Sequence, residues 1–122
     1  MTDEFYRTFK ASGNLSTQYS LVKMENDEEV GNAGANGKAF GILQNTPSDG
    51  ESAVVKVAGI SKFEAGEAVA VGKYVTSTAS GLGEVADAAG EHCIGVAIKS
   101  TSASGGIGKV VIAPFTAHAS DA

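Results

Sequence analysis

The stretch "VAGISKFEAGEAVAVGKYVTST", residues 57–78, decides how this chain folds. Glycines stand at 59, 66 and 72, apolar residues fall between them in pairs and alternations, and lysines occupy positions 62 and 73. Alternation with a period of two, broken by glycine, is the mark of short strands joined by tight turns. Neither lysine comes with a recognisable acid–base partner. Two readings stay open at this point: a small β-domain that carries a modified lysine, or a packing module without chemistry.

The same texture extends outward from about Ala39. "KAFGILQN", "SAVVKVAG", "GEVADA", "HCIGVAIKS" and "GKVVIAPF" are short apolar stretches. Between them lie turn-forming connections such as "TPSDGES" (46–52), "STASGLG" (77–83), "AAGEHC" (88–93) and "STSASGGIG" (100–108). Such spacing predicts an all-β barrel or sandwich. On a strand over "HCIGVAIK", Ile94, Val96 and Ile98 share one face, opposite Cys93, Gly95, Ala97 and Lys99. With Val55, Val57, Val110 and Ile112, that first set is the expected core. One turn of helix over 65–71 is a weaker alternative, since glycine and helix are poorly compatible.

Residues 1–38 read differently. They hold Phe5, Tyr6, Phe9 and Tyr19, four of the eight aromatics, in polar sequence without sustained periodicity. An acidic run, Glu25–Glu29, and a Gly/Asn/Ala loop follow, with one short strand expected near 20–24. The bland reading is a loose tail. The sharper one is an extended N-terminal arm whose Phe5, Tyr6, Phe9, Leu15 and Tyr19 dock on another chain, as aromatic anchors do at interfaces. On that reading the chain divides into an arm (1–38), a β-domain (39–114) and a C-terminal tail (115–122). Deletion of residues 1–19 is then expected to leave a folded protein that no longer binds.

Composition narrows the function. A chain of 122 residues fits one domain with a modest core. Its net charge of −5, with nine scattered cations, argues against a nucleic-acid binder. No apolar run reaches the length of a membrane span, and "MTDEFYRTFK" lacks the apolar stretch of a signal peptide, so synthesis in the cytoplasm is expected. Cys93 is the sole cysteine and forms no intramolecular disulfide.

Chemistry-bearing constellations are wanting. His92 and Cys93 are adjacent, so on a strand they face opposite ways and cannot share a metal. His118 has no second ligand at metal spacing. Asp87, His92 and a serine make a triad only on paper, because nothing places the nucleophile on a strained elbow. "SGGIGKV" fails as a phosphate loop, with Ala103 and Val110 at positions that need glycine and Ser/Thr, and with a strand expected to follow. "GLGEVA" (81–86) lacks a strand–turn–helix setting. No catalytic group, cofactor or metal is expected.

A biotinyl or lipoyl carrier domain remains an alternative, since "SKFEAGEAVAVGKYV" is similar to its glycine-punctuated stretch. Its lysine, however, needs a tight hairpin tip and small or methionine flanks. Lys62 is flanked by Ser61 and Phe63, and Lys73 by Gly72 and Tyr74.

A longer match lies over residues 39–114. "FGILQNTP" (40–47), "AVVKVAGISK" (53–62), "AGEAVAVGKYVTS" (65–77), "GVAI" (95–98) and "VVI" (110–112) follow one another in the order found in small capsid decoration, or cement, proteins of tailed bacteriophages. The chain resembles that family over nearly two-thirds of its length. The resemblance implies a compact β-tulip or barrel-like fold and no catalytic activity. It implies homotrimers on the outer capsid surface at three-fold and quasi-three-fold points, where they bridge major capsid proteins and brace the shell against packaged DNA. The virion is then the expected location, after assembly in the host cytoplasm. A β-module at the base of a vertex or tail fibre is the further alternative.

Overall fold

The computed structural model describes residues 5–35, 37–86 and 91–116. Among these residues nine strands run β1 (Phe5–Ala11), β2 (Leu21–Asn26), β3 (Glu29–Asn32), β4 (Gly41–Leu43), β5 (Ser52–Glu64), β6 (Tyr74–Ser77), β7 (Gly83–Val85), β8 (His92–Lys99) and β9 (Ile107–Thr116). They hydrogen-bond as one mixed sheet in the order β1-β3-β2-β4-β5-β9-β8-β6-β7, and β1 also pairs with β5. The β1–β3 pair is parallel and every other pair antiparallel. The β1–β5 pairing brings five strands into a circuit, while β9, β8, β6 and β7 continue beyond it. The fold is all-β, as expected, but the sheet as a whole is open and is not a barrel. The described residues include no helix, so 65–71 is a connection. It is held by bridges from Ala65 to Gly83 and from Val69 to Thr101.

The spine is β5. Its first half, Ser52–Ala58, pairs with β1, and within it Val55 and Lys56 also pair with β4. Its second half, Gly59–Glu64, pairs with β9. The partners change at Gly59, whose φ of 92° lies where a side chain is disfavoured. Gly59 therefore bends one long strand and does not separate two short ones. Lys56 reaches across the bend: its Nζ donates to the Ile60 carbonyl at 2.9 Å and sits 4.9 Å from the centre of the Tyr6 ring. Gly66 and Gly72 do lie in connections, as their spacing implied, and the Gly72 amide donates to the Ala97 carbonyl at 2.8 Å.

Two apolar clusters form along this spine. One gathers Leu21, Ile42, Phe63, Val69, Val75, Ile94 and Val110, and the other Leu15, Val22, Val30, Leu43, Ala53 and Val55. Leu21 and Val22 are consecutive, as are Ile42 and Leu43, and all four are fully buried. Since successive strand residues point to opposite faces, β2 and β4 are covered on both sides and separate the two clusters. A third, small cluster pairs Ala86 with Cys93 beneath the edge-to-face rings of Tyr74 and Phe115, centroids 4.8 Å apart.

The expected core needs one correction. Val55, Ile94, Val110 and Ile112 are buried, Val57 and Val96 are half-buried, and Ile98 is exposed. The pairing of β8 with β9 slips twice, between Cys93 and Gly95 and between Ala97 and Lys99. The face changes at the first slip: Ile94 and Ala97, three residues apart, both lie in the first cluster, so Val96 and, two residues on, Ile98 fall on the outer face. Ala97 takes the inward position instead. Between the slips, a Cβ on Gly95 would run into the Val111 carbonyl oxygen, so this crossing of two backbones requires glycine.

Residues 1–38 also differ from expectation: no arm is seen among those described. Strand β1 lies in the sheet, Leu15 and Val30 are core, and three of the nine strands come from this segment. Deletion of residues 1–19 would thus remove a strand and part of a core cluster, and loss of folding is the expected outcome, not a folded remnant.

These contrasts are measurable by urea denaturation. Phe63→Ala, at a fully buried ring, is expected to cost ~3–5 kcal/mol. Ile98→Ala should stay within ~0.5 kcal/mol of the parent. Gly59→Ala should cost ~1–2 kcal/mol through its backbone angle alone.

Candidate interaction surface

The five residues expected to contact a partner are scattered by the fold. Phe5 and Tyr6, 62% and 51% exposed, stand on the outer end of β1. Phe9 is half-buried and meets Phe40 edge to face with centroids 5.4 Å apart. Leu15, at 3% exposure, belongs to the second core cluster, and its amide donates to the Pro47 carbonyl at 2.9 Å. It is a structural residue and not a surface anchor. Tyr19 adopts a φ of 72°, packs half-buried on the first cluster, and accepts the Glu64 amide at its carbonyl. Of the five, Phe5 and Tyr6 alone present large apolar surface.

The singled-out histidine is a fastener. His92 Nε2 lies 3.0 Å from the Ala39 carbonyl oxygen, and Ser77 Oγ donates to the Ala33 carbonyl at 2.9 Å. Both tie the β6–β8 end of the sheet to the loop after β3. Cys93 is buried in the third cluster. Asp87 and His118 lie outside the described residues. Among the described residues no His, Cys, Asp and Glu side chains gather at metal-binding range. Ile107 begins a strand directly after "SGG", so that stretch is a hairpin connection between β8 and β9. Lys62 stands within β5, opposite Lys109, far from a hairpin tip. The carrier reading loses Lys62 on that ground.

A surface that the one-dimensional pattern did not reveal lies on the outer face of β5, β9 and β8. Ile60 is opposite Val111, which is opposite Val96; one step along, Lys62 is opposite Lys109, which is opposite Lys99. Ile60, Ile98, Ile107 and Val111 are the exposed aliphatics of this face, and all three lysines are exposed. The lysines lie at 62, 99 and 109 in sequence, and only the cross-strand register brings them into a row. Lys56 and Ile60 line the same shallow hollow as Lys62 and Lys109, so the face adjoins Tyr6 at the end of β1.

What is defined to this point is a small all-β module whose features are surfaces and packing. The comparisons agree. Residues 10–112 match the phage cement protein family, and the chain belongs to that family. It is a structural, non-enzymatic phage head decoration protein. No curated protein matches the chain. Its fold resembles the N base of the head fibre protein gp8.5 of bacteriophage phi29, with a TM-score of 0.72 and 20% identity, covering 90% of this chain and 94% of that one. The likeness at that identity is one of fold.

The sorting of the five residues predicts opposite outcomes on heating. Leu15→Ala should lower stability by ~2–5 kcal/mol, whereas Phe5→Ser should leave the melting temperature close to that of the parent. Thermal unfolding followed by circular dichroism checks both.

Proposed function

We propose that this protein binds the outer surface of a phage head, bridges neighbouring major capsid proteins and stabilises the shell against the pressure of packaged DNA. The family match over 103 of the 122 residues, 10 through 112, carries the reading. Several features support it. Rigid strands and glycine turns filled by small side chains give a dense module that resists deformation. Phe5 and Tyr6 offer an apolar contact at the end of β1, with the Lys56 ammonium over the Tyr6 ring. A homotrimer at three-fold and quasi-three-fold positions would present several such contacts together, and their combined effective concentration would make release slow. The arm expected from the sequence has no part in this reading; the docking groups sit on the folded sheet.

A second reading rests on the fold likeness to a head fibre base: the chain would serve as the seat of a longer fibre. Copy number separates the two. About one chain per major capsid protein in purified virions is the expected result for a trimer at each three-fold position. A handful of copies per particle would favour the fibre seat, and absence from virions would overturn both. Heads assembled without the chain should release DNA at lower temperature than decorated heads. Equal release temperatures would remove the stabilising role.

A further inference from the structure

The lysine row is an anomaly within this fold. Like charges directly opposite each other on a sheet are destabilising, and Lys109 has such a neighbour on each side, Lys62 and Lys99. None of the three has an ion-pair partner among the described residues; Glu64, on the same face of β5, does not form one with them. Lys62 lies 5.9 Å from the centre of the Tyr19 ring, which is the nearest compensation. The chain as a whole carries a charge of −5. A net acidic protein that places three neighbouring cations beside four exposed aliphatics leaves a surface that its own packing does not explain.

The densest acidic cluster is at the other end of β5, although Glu64 stands near the lysines. Asp27, Glu28 and Glu29 form the β2–β3 hairpin, and Glu29 pairs with Lys10, which pairs with Ser52 at the start of β5. The lysine row is level with Lys62, ten residues further along the same strand. At ~3.3 Å per residue the two charged ends lie up to ~33 Å apart, less whatever the bend at Gly59 takes up. The lysine row and the acidic hairpin thus lie toward opposite ends of β5.

We propose that the face built from Ile60, Val111, Lys62, Lys109 and Lys99 docks on an acidic, carboxylate-bearing surface of the capsid shell, with the Glu-rich hairpin turned away from it. This rests on the shell-binding reading above and names the face and the chemistry of its partner. Charge complementarity selects carboxylates, and the flanking aliphatics supply the dry area that strengthens ion pairs on contact. A second copy is the poorer occupant. At its acidic hairpin Lys10 stands opposite Glu29 and Lys23 pairs with Glu25 at 3.3 Å, which offsets part of the charge that would meet the lysine row.

The test adds purified protein to heads assembled without it and measures bound chain against concentration, at low and moderate salt. Parent binding should weaken at least ~tenfold as salt rises and the Debye length shortens. Lys109→Glu is the informative variant, because it replaces two repulsive cross-strand pairs with two attractive ones. It should melt no lower than the parent, yet bind heads at least ~tenfold more weakly and with less response to salt. Glu28→Lys, at the far end, should bind like the parent. Parent-like binding by Lys109→Glu, or parent binding indifferent to salt, would overturn the inference while leaving shell binding intact. Failure of the parent to bind heads at any salt would remove the shell reading and this inference together. A change in the sedimentation of the free protein with Lys109→Glu, with head binding unaltered, would assign the face to self-association and overturn the proposal.

Discussion

Everything in this fold depends on β5 remaining one strand while changing partners at Gly59. Its first half is the template for β1 and β4, its second half for β9, and through β9 for β8, β6 and β7. Two apolar clusters are held in fixed relation because Val55 and Phe63 are fastened to the same backbone. The bend also creates a local problem, since a strand that switches partners exposes carbonyl groups at the switch. The Lys56 ammonium meets it by donating to Ile60, and no buried side-chain nitrogen or oxygen among the described residues lacks a partner. Smaller ties repeat the logic. His92 to Ala39, Ser77 to Ala33 and the Leu21 amide to Gly81 join the far strands to the near ones.

The strands from β4 to β9 were legible because alternating apolar residues and turn-forming connections are local signals. Of the N-terminal strands, β2 matches the short strand expected near 20–24, but β1 and β3 were not legible, and the reason is physical. Residues 5 to 8 of β1 are all exposed, so the strand is held by backbone pairing on two sides and leaves no apolar alternation to read. Ile98 fits the alternating pattern and fails in the structure because a bulge is a matter of register between strands, invisible in either one alone. Gly59 looked like a turn because its backbone angle is that of a turn; only its neighbours make it a bend.

The same distinction governs the functional surface. In the sequence Lys62 is a lone cation; its meaning comes from Lys109 and Lys99, which are distant in sequence and adjacent in space. Aromatic content drew attention to Leu15 and its neighbours, whereas the fold keeps Leu15 for the core and leaves Phe5 and Tyr6 outside. A protein without catalytic groups carries its function in shape and in the sign of charge on each face. Those properties emerge only when strands are placed side by side.

The pairing of β1 with β5 has a consequence for how the chain is made. Tyr6 lies opposite Lys56, fifty positions later in the sequence. A ribosome adding ~5–20 residues per second needs ~2.5–10 s to produce that partner once Tyr6 has been joined. During that interval the first strand lacks its β5 neighbour, and its exposed aromatics are open to any passing chain. The β2–β3 hairpin is complete sooner and can form without help, so it provides the first edge on which the N-terminus can settle, in parallel with β3. Closure onto β5 then comes as a late step of synthesis, with long loops to be ordered before any contact repays them. The N-terminal strand is accordingly where crowding of nascent chains would first cause loss.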